Sequence, residues 1–338
     1  MAFLTAYLLT VSRRRKAVRM RLVTFDEYLE YVKKHGEIVV ENTVIRIGGE
    51  HRVREYQPRE FSLEATTVWS FPERGGWATH RGDYRGNWSP RVVRNLIIRY
   101  SRPGEWVLDQ MCGSGTTLIE ARLLGRNAIG VDINYEACIL TLDRLNFTYK
   151  PPDPGWREPE VRVYHGDARN LDLIEDETID FIATHPPYYK IIPYSKRKEG
   201  VEGDLSRARS LEEYLEGMRR VAEESYRVLK PGRYCAILIG DTRYRRHYVP
   251  IAFRVMQQFL EAGFILKEDI IKVQWNTKKT REKWAKLARV TRECWVEEPE
   301  KGRSRADFYL IAHEHLFVFR KPGESEDPRR YRLSVKWW

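Results

Sequence analysis

The residues best suited to chemistry are His185-Pro186-Pro187-Tyr188. They follow an apolar run, Thr178 to Ala183, which predicts a short buried strand. Two prolines end such a strand because neither can donate to a sheet ladder, and they hold His185 and Pro186 extended. The expectation is a stiff, carbonyl-rich loop with Tyr188 at its tip. It would lie at the C-terminal end of a strand, where open α/β sheets bind ligands. That loop suits an exocyclic amine on a nucleobase, whose lone pair is delocalised into the ring. Acceptors gripping the amine hydrogens favour the tetrahedral nitrogen that attacks, and an aromatic face holds the extruded base. Taken alone, the same residues fit a proline-stiffened surface turn equally well.

A second stretch, Trp106 to Ala121, reads as strand, glycine turn and helix. Within it, Gly113 and Gly115 let the backbone approach a ligand, and the helix start presents unpaired N–H groups. No Gly-Lys-Ser/Thr follows, so it is not a phosphate loop, and it is not a full GxGxxG fingerprint. Asn127 to Asn134 predicts a second strand ending in an acid, Asp132, suited to ribose hydroxyls. Val161 to Tyr164 predicts a third, leading into His165-Gly166-Asp167-Ala168 and another acid near the same edge.

The ordered set resembles the S-adenosylmethionine-dependent amino-methyltransferases of nucleic acids, the N4-cytosine/N6-adenine DNA methylase type with its archaeal RNA-acting relatives. The resemblance runs from about Thr66 to Lys321, and Trp69 to Pro90 looks like the family's motif X. It implies an α/β fold, a Rossmann-like class I methyltransferase sheet, with S-adenosylmethionine as cofactor. Asp109, Met111, Cys112, Gly113, Gly115, Thr116 and Thr117 would take the methionine end. Asp132 with Ile133 would take the ribose, and Asp167 with Ala168 the adenine. His185, Pro186, Pro187 and Tyr188 would hold the target base, with Trp88 and Tyr194 as further substrate contacts. No strong general base is required, because the amine can lose its proton after the methyl transfers.

One position departs from the pattern. The family's loop usually begins with Asp, Asn or Ser, and here that place is His185. A neutral imidazole accepts through one nitrogen, so activity is expected to decline below an ordinary imidazole pKa of about 6.5. The chain ends soon after the last core strand, without a sizeable recognition domain after the Pro-Pro-Tyr half. That leans toward RNA, ribosomal RNA included, over DNA, with cytosine N4 as the target. Three rivals stay open: a protein glutamine methyltransferase, a small-molecule methyltransferase and a catalytically silent nucleic-acid binder.

Composition agrees with a nucleic-acid partner. The 338 residues carry a net charge of +11, and the pI of about 9.4 favours polyanions. A generally basic solvated surface would show the same balance. Cys112, Cys138, Cys235 and Cys294 form no CxxC pair, so neither zinc nor a disulfide framework is indicated and a reducing cytoplasm fits. His313-Glu314-His315 reads as polar residues flanking a strand rather than a metal site. Met1 to Val11 is too short to span a membrane, which needs about 20 apolar residues. No membrane or metal partner is expected, and either a monomer or a homodimer fits.

Residues 1–65 read as an appended module outside the methyltransferase core, 66–322 as that core and 323–338 as a tail. Helices are expected over Asp26 to Val32, Arg91 to Tyr100, Leu211 to Leu229 and Ile251 to Ala262. A small hairpin is expected over Glu37 to Ile47. Pro231-Gly232 should stop the third helix before a strand at Tyr234 to Ile239. Phe264 to Trp275 and Leu316 to Arg320 should form an antiparallel pair. Between them, residues 276–310 make a basic insertion whose Lys278, Lys279, Arg281 and Lys283, interleaved with tryptophans, suit nucleic acid. A tryptophan-packed amphipathic helix reads nearly as well. The polar segment from Tyr194 to Ser206 has the composition of a lid, with a plain solvated loop as the competing reading.

Overall fold

The computed structural model describes residues 18–40, 43–84, 86–152, 155–189, 203–275 and 308–335. Tyr194, Lys278, Lys279, Arg281, Lys283 and Cys294 lie outside the described residues, as do most of the expected lid and insertion.

The described chain opens with β1 (Arg21–Leu22), α1 (Phe25–Lys34), β2 (Glu37–Val40) and β3 (Thr43–Arg46). β4 (Val68–Ser70) and α2 (Pro90–Tyr100) lead to an alternation of β5 (Trp106–Asp109), α3 (Thr116–Leu123), β6 (Asn127–Asp132), α4 (Tyr135–Leu145) and β7 (Val161–His165). Then come β8 (Ile179–Thr184), α5 (Leu211–Val228), β9 (Leu229–Ile239), β10 (Thr242–Tyr244), β11 (His247–Val249), α6 (Ile251–Glu261), β12 (Ile265–Val273) and β13 (His313–Arg320). Nine strands form one sheet in the order β1-β7-β6-β5-β8-β9-β13-β12-β4. Strands β7, β6, β5, β8 and β9 run parallel, while β13 lies antiparallel to β9 and to β12. The order turns back between β5 and β8, which opens a crevice at the C-terminal ends of these two strands.

Side chains alternate between two cores, as a sheet covered on both faces requires. From β9, Cys235, Ile237 and Ile239 join Tyr214, Met218 and Phe259 of α5 and α6. Ala236 and Leu238 face the other way, toward Val92, Leu96, Leu118 and Ile139 of α2, α3 and α4. Ser89 caps α2 by accepting from the Arg91 N–H, with Pro90 in the first turn where its missing donor costs nothing. Gly115 begins α3 at φ +82°, and a Cβ there would meet Thr141 of α4 at 2.8 Å. Only glycine lets the two helices approach so closely.

Two expectations change. The strand after α5 begins at Leu229 and passes through Pro231-Gly232 rather than after it. Its register jumps, with Ile179 facing Leu229 and Phe181 facing Tyr234, so the proline sits in a bulge that needs no ladder donor. Gly232 donates instead to the Lys321 carbonyl at 3.0 Å. Residues 20–47 also do not stand outside the core. β1 pairs antiparallel with β7, and Val23, Tyr28, Ile38, Ile45 and Ile47 join the core beneath α4. Asp143 of α4 collects the Tyr28 hydroxyl at 2.9 Å, the Gly48 N–H at 2.7 Å and His51 at 2.9 Å. No described helix is long and apolar enough to cross a membrane.

Candidate active site

One cleft of about 850 Å³, open to solvent, runs along the C-terminal ends of β5 to β8. It brings together Trp88, Asp109, Met111, Cys112, Gly113, Asp132, Ile133, Asp167, Ala168, His185 and Pro187. The other expected residues stand behind its wall. Thr117 donates to Asp109 and Thr116 to Asn87, and Gly115 caps α3. Tyr84, Gly86, Asn87, Gln110, Ser114, Asn134, Gly203, Asp204 and Leu205 complete the lining. Gln110 and Ser114 lie within the Asp109 to Thr117 stretch expected at the methionine end, whereas sequence reasoning missed Tyr84, Gly86, Asn87, Asn134, Gly203, Asp204 and Leu205, although Asn87 sits in motif X and Asp204 near the end of the expected lid.

Asp109, at the end of β5, accepts from Thr184 at 2.9 Å and from the Met111 N–H at 3.2 Å. Asp132, at the end of β6, accepts from the N–H groups of Gly113 at 2.9 Å and Asn134 at 2.8 Å. Burial pushes both acids up to about 6, against these hydrogen bonds. Asp167 is held by Arg169 through Nε at 2.9 Å and NH2 at 2.6 Å, and the same guanidinium donates to the Gly203 carbonyl at 3.0 Å. That clamp draws the start of the segment after residue 202 onto the cleft wall.

These groups fit S-adenosylmethionine. Ser114 Oγ is buried at the cleft without a hydrogen-bond partner among the described residues. Among the described residues each Asp132 oxygen accepts only one N–H, so further lone pairs remain for hydroxyls. A Cβ on Gly113 would come within 3.0 Å of the Tyr84 ring, so the floor is a backbone cradle.

The loop after β8 is built differently from the expectation. Tyr188 is not an exposed tip: it is 7% exposed, its ring lying against Gly240, where a Cβ would be 2.7 Å away. Its hydroxyl lies 2.7 Å from Glu314 Oε1 and 2.7 Å from His185 Nε2. Glu314 Oε2 accepts from Lys272 Nζ at 2.8 Å. Burial alone would push Glu314 up, but the lysine brings it below its ordinary value, so it is ionised and only accepts. Tyr188 therefore donates to Glu314, and its oxygen takes the hydrogen of His185 Nε2. The remaining nitrogen, Nδ1, is buried and makes no close hydrogen bond among the described residues, although the Gly86 backbone lies near enough to pull the imidazole pKa up. Burial, aided by Lys272, moves the His185 imidazole down to about 4, while Glu314 and the Gly86 backbone pull the other way. The expected decline near pH 6.5 is thereby moved well below that value. Trp88 leans over the imidazole, ring centres 5.8 Å apart at 30°, and the Tyr188 ring stands edge-on to it at 5.3 Å.

His313-Glu314-His315 lies inside β13 rather than beside it. His315 bonds Asp269 at 3.0 Å, and no metal-holding group of these residue types occurs among the described residues.

A family profile for N6/N4 methyltransferases, described as DNA methylase, matches residues 12–143 and 179–336. The chain belongs to this family. That family is one of methyltransferases that use S-adenosylmethionine. The chain is 34% identical over 106 residues to the tRNA (guanine(10)-N2)-dimethyltransferase of Methanothermobacter thermautotrophicus, covering 31% of this chain and 29% of that one. It is 29% identical over 126 residues to the type II methyltransferase M.MjaI of Methanocaldococcus jannaschii, covering 31% of this chain and 42% of that one. The chain thus spans less than half the length of these relatives. A SAM-dependent methyltransferase from Methanosarcina mazei is similar in structure at TM-score 0.42 and 16% identity, over 68% of this chain and 98% of that one. The fold assignment rests on the strand order and not on this likeness.

Proposed function

We propose that this enzyme methylates the exocyclic amine of a nucleobase in RNA, with cytosine N4 as the target. The observation that carries the reading is the placement of the His185 imidazole, kept neutral at ordinary pH by burial, among the residues lining the cleft that also holds Asp109, Asp132 and Asp167. The cofactor supplies an electrophilic methyl group. His185 takes a hydrogen bond from the target amine and localises the nitrogen lone pair, and Trp88 and Tyr84 offer aromatic faces to the base. Asp132 holds ribose hydroxyls, and the backbone at Gly113 and Ser114 receives the methionine end. With an acceptor that stays neutral above about pH 4, the amine proton leaves to solvent after transfer.

RNA is favoured by the likeness to the tRNA (guanine(10)-N2)-dimethyltransferase, which extends to a second such enzyme from Methanocaldococcus jannaschii at 32% identity over 104 residues. The DNA reading, N4-cytosine or N6-adenine, is favoured by the type II relatives and the family description. Nucleoside mass spectrometry of total RNA and total DNA, from cells with and without the gene, separates the two. Loss of N4-methylcytidine from RNA supports the proposal, and loss of a methylated base from DNA alone overturns it.

A further inference from the structure

Strand β9 leaves the sheet beside the His185 loop, since Gly240 directly follows it and underlies the Tyr188 ring. The chain then folds into the β10–β11 hairpin, with Thr242 facing Val249 and Tyr244 facing His247. Only Arg245 and Arg246 remain for the turn, and they adopt φ of +48° and +72°. Positive φ at both central residues is the pattern that matches the twist of a hairpin, and Asn-Gly is its favoured sequence. Arginine strains there because its Cβ crowds the carbonyl.

The hairpin is nonetheless firmly footed. Tyr248 donates to Asp241, and Asp241 also accepts from the Ala252 N–H at 2.7 Å. Arg243 is spent internally, donating to the Arg246 carbonyl at 2.9 Å and the Tyr309 carbonyl at 2.8 Å. Residues 244–248 are all exposed. Tyr244 is 67% exposed and Tyr309, tied on by Arg243, is 85% exposed. Neither Arg245 nor Arg246 forms an ion pair with any described carboxylate, and the Arg245 guanidinium lies 5.4 Å from the Tyr244 ring centre. A rigid support holds strained arginines and an exposed tyrosine where stability alone would favour Asn-Gly. Such local violations mark function.

We propose that the β10–β11 hairpin is a nucleic-acid grip, with Arg245 and Arg246 on the phosphodiester backbone beside the extruded base and Tyr244 stacked on a neighbouring base. This rests on the reading of the cleft as a nucleobase site. Arginine pairs with phosphate through its planar fork, and base–aromatic stacking tolerates any sequence, so the grip reads backbone rather than sequence.

The test uses the full chain with labelled single-stranded RNA and DNA oligonucleotides of mixed sequence, across a series of salt concentrations. Replacing the turn by Arg245→Asn with Arg246→Gly should leave the melting temperature equal or higher and the S-adenosylmethionine affinity unchanged. The slope of log affinity against log salt should flatten by about 1.4, the value for two lost phosphate contacts on a single strand. Arg245→Lys with Arg246→Lys should keep most of the slope. Tyr244→Ala should weaken binding about tenfold with the slope unchanged. If the wild type binds and the Asn-Gly turn keeps its slope, the grip is overturned while the function stands. If the wild type binds neither oligonucleotide, both are overturned.

Discussion

Tyr188 lies 2.7 Å from Glu314, with its hydroxyl donating to the carboxylate across 126 positions of the chain. That bond fixes the direction of the next one, from His185 to Tyr188, and thereby which imidazole nitrogen carries the proton. Glu314 and Lys272 thus hold the proposed acceptor in place, and neither lines the cleft.

Tyr188→Phe removes the oxygen that receives the Nε2 hydrogen and frees His185 to change tautomer. Turnover should fall about tenfold, equivalent to about 1.4 kcal/mol and so the worth of one hydrogen bond, with cofactor affinity unchanged. Imidazole ¹⁵N shifts should show protonation at Nε2 in the wild type and a mixture in the variant. A wild-type proton on Nδ1 would sink the assignment.

The pH profiles of binding and turnover should separate. Asp109 and Asp132, raised to about 6 chiefly by burial, act as anions toward a cationic cofactor. Protonation removes that attraction, so cofactor affinity should fall as pH drops through about 6. At saturating cofactor, turnover should stay level through 6.5 and fall only toward about 4, where the buried imidazole protonates. A turnover midpoint near 6.5 would mean that His185 is solvated in the working enzyme.

Asp132→Ala leaves the Gly113 and Asn134 N–H groups without their acceptor and removes the proposed ribose partner. Charge-assisted bonds contribute about 1.5–3 kcal/mol each, so calorimetry should show cofactor binding at least about tenfold weaker. Unchanged affinity would remove Asp132 from the site.

Gly240→Ala places a methyl 2.7 Å from the Tyr188 ring, in a core that transmits strain. The ring, and His185 with it, must shift. Turnover should drop about tenfold to a hundredfold, with calorimetric cofactor affinity intact. A fully active variant would mean that the loop tolerates the displacement.

Glu120 is fully buried in α3, accepting from Trp77 at 2.6 Å, His80 at 2.7 Å and Arg94 at 3.0 Å. Glu120→Ala strands the Arg94 charge, which typically costs about 3–5 kcal/mol. Urea unfolding measures it, and a loss under about 1 kcal/mol would show that water reaches the network.

Local sequence was sufficient wherever one segment builds one feature. Apolar runs fix β5, β6 and β8 because a strand buried on both faces has little choice of residue type. Strand-end acids and prolines place Asp109, Asp132 and His185 at one sheet edge because parallel strands end together. What contacts between distant segments decide was not legible. Pro231 resides within a strand because a bulge against β8 absorbs it. Residues 20–47 belong to the core because Asp143 lies more than 90 positions downstream of Gly48 and His51. Glu314 reads from sequence as an ordinary strand residue. Only the pairing of β12 with β13 and of β13 with β9 carries its carboxylate to Tyr188, and burial there, not residue type, sets the protonation of His185.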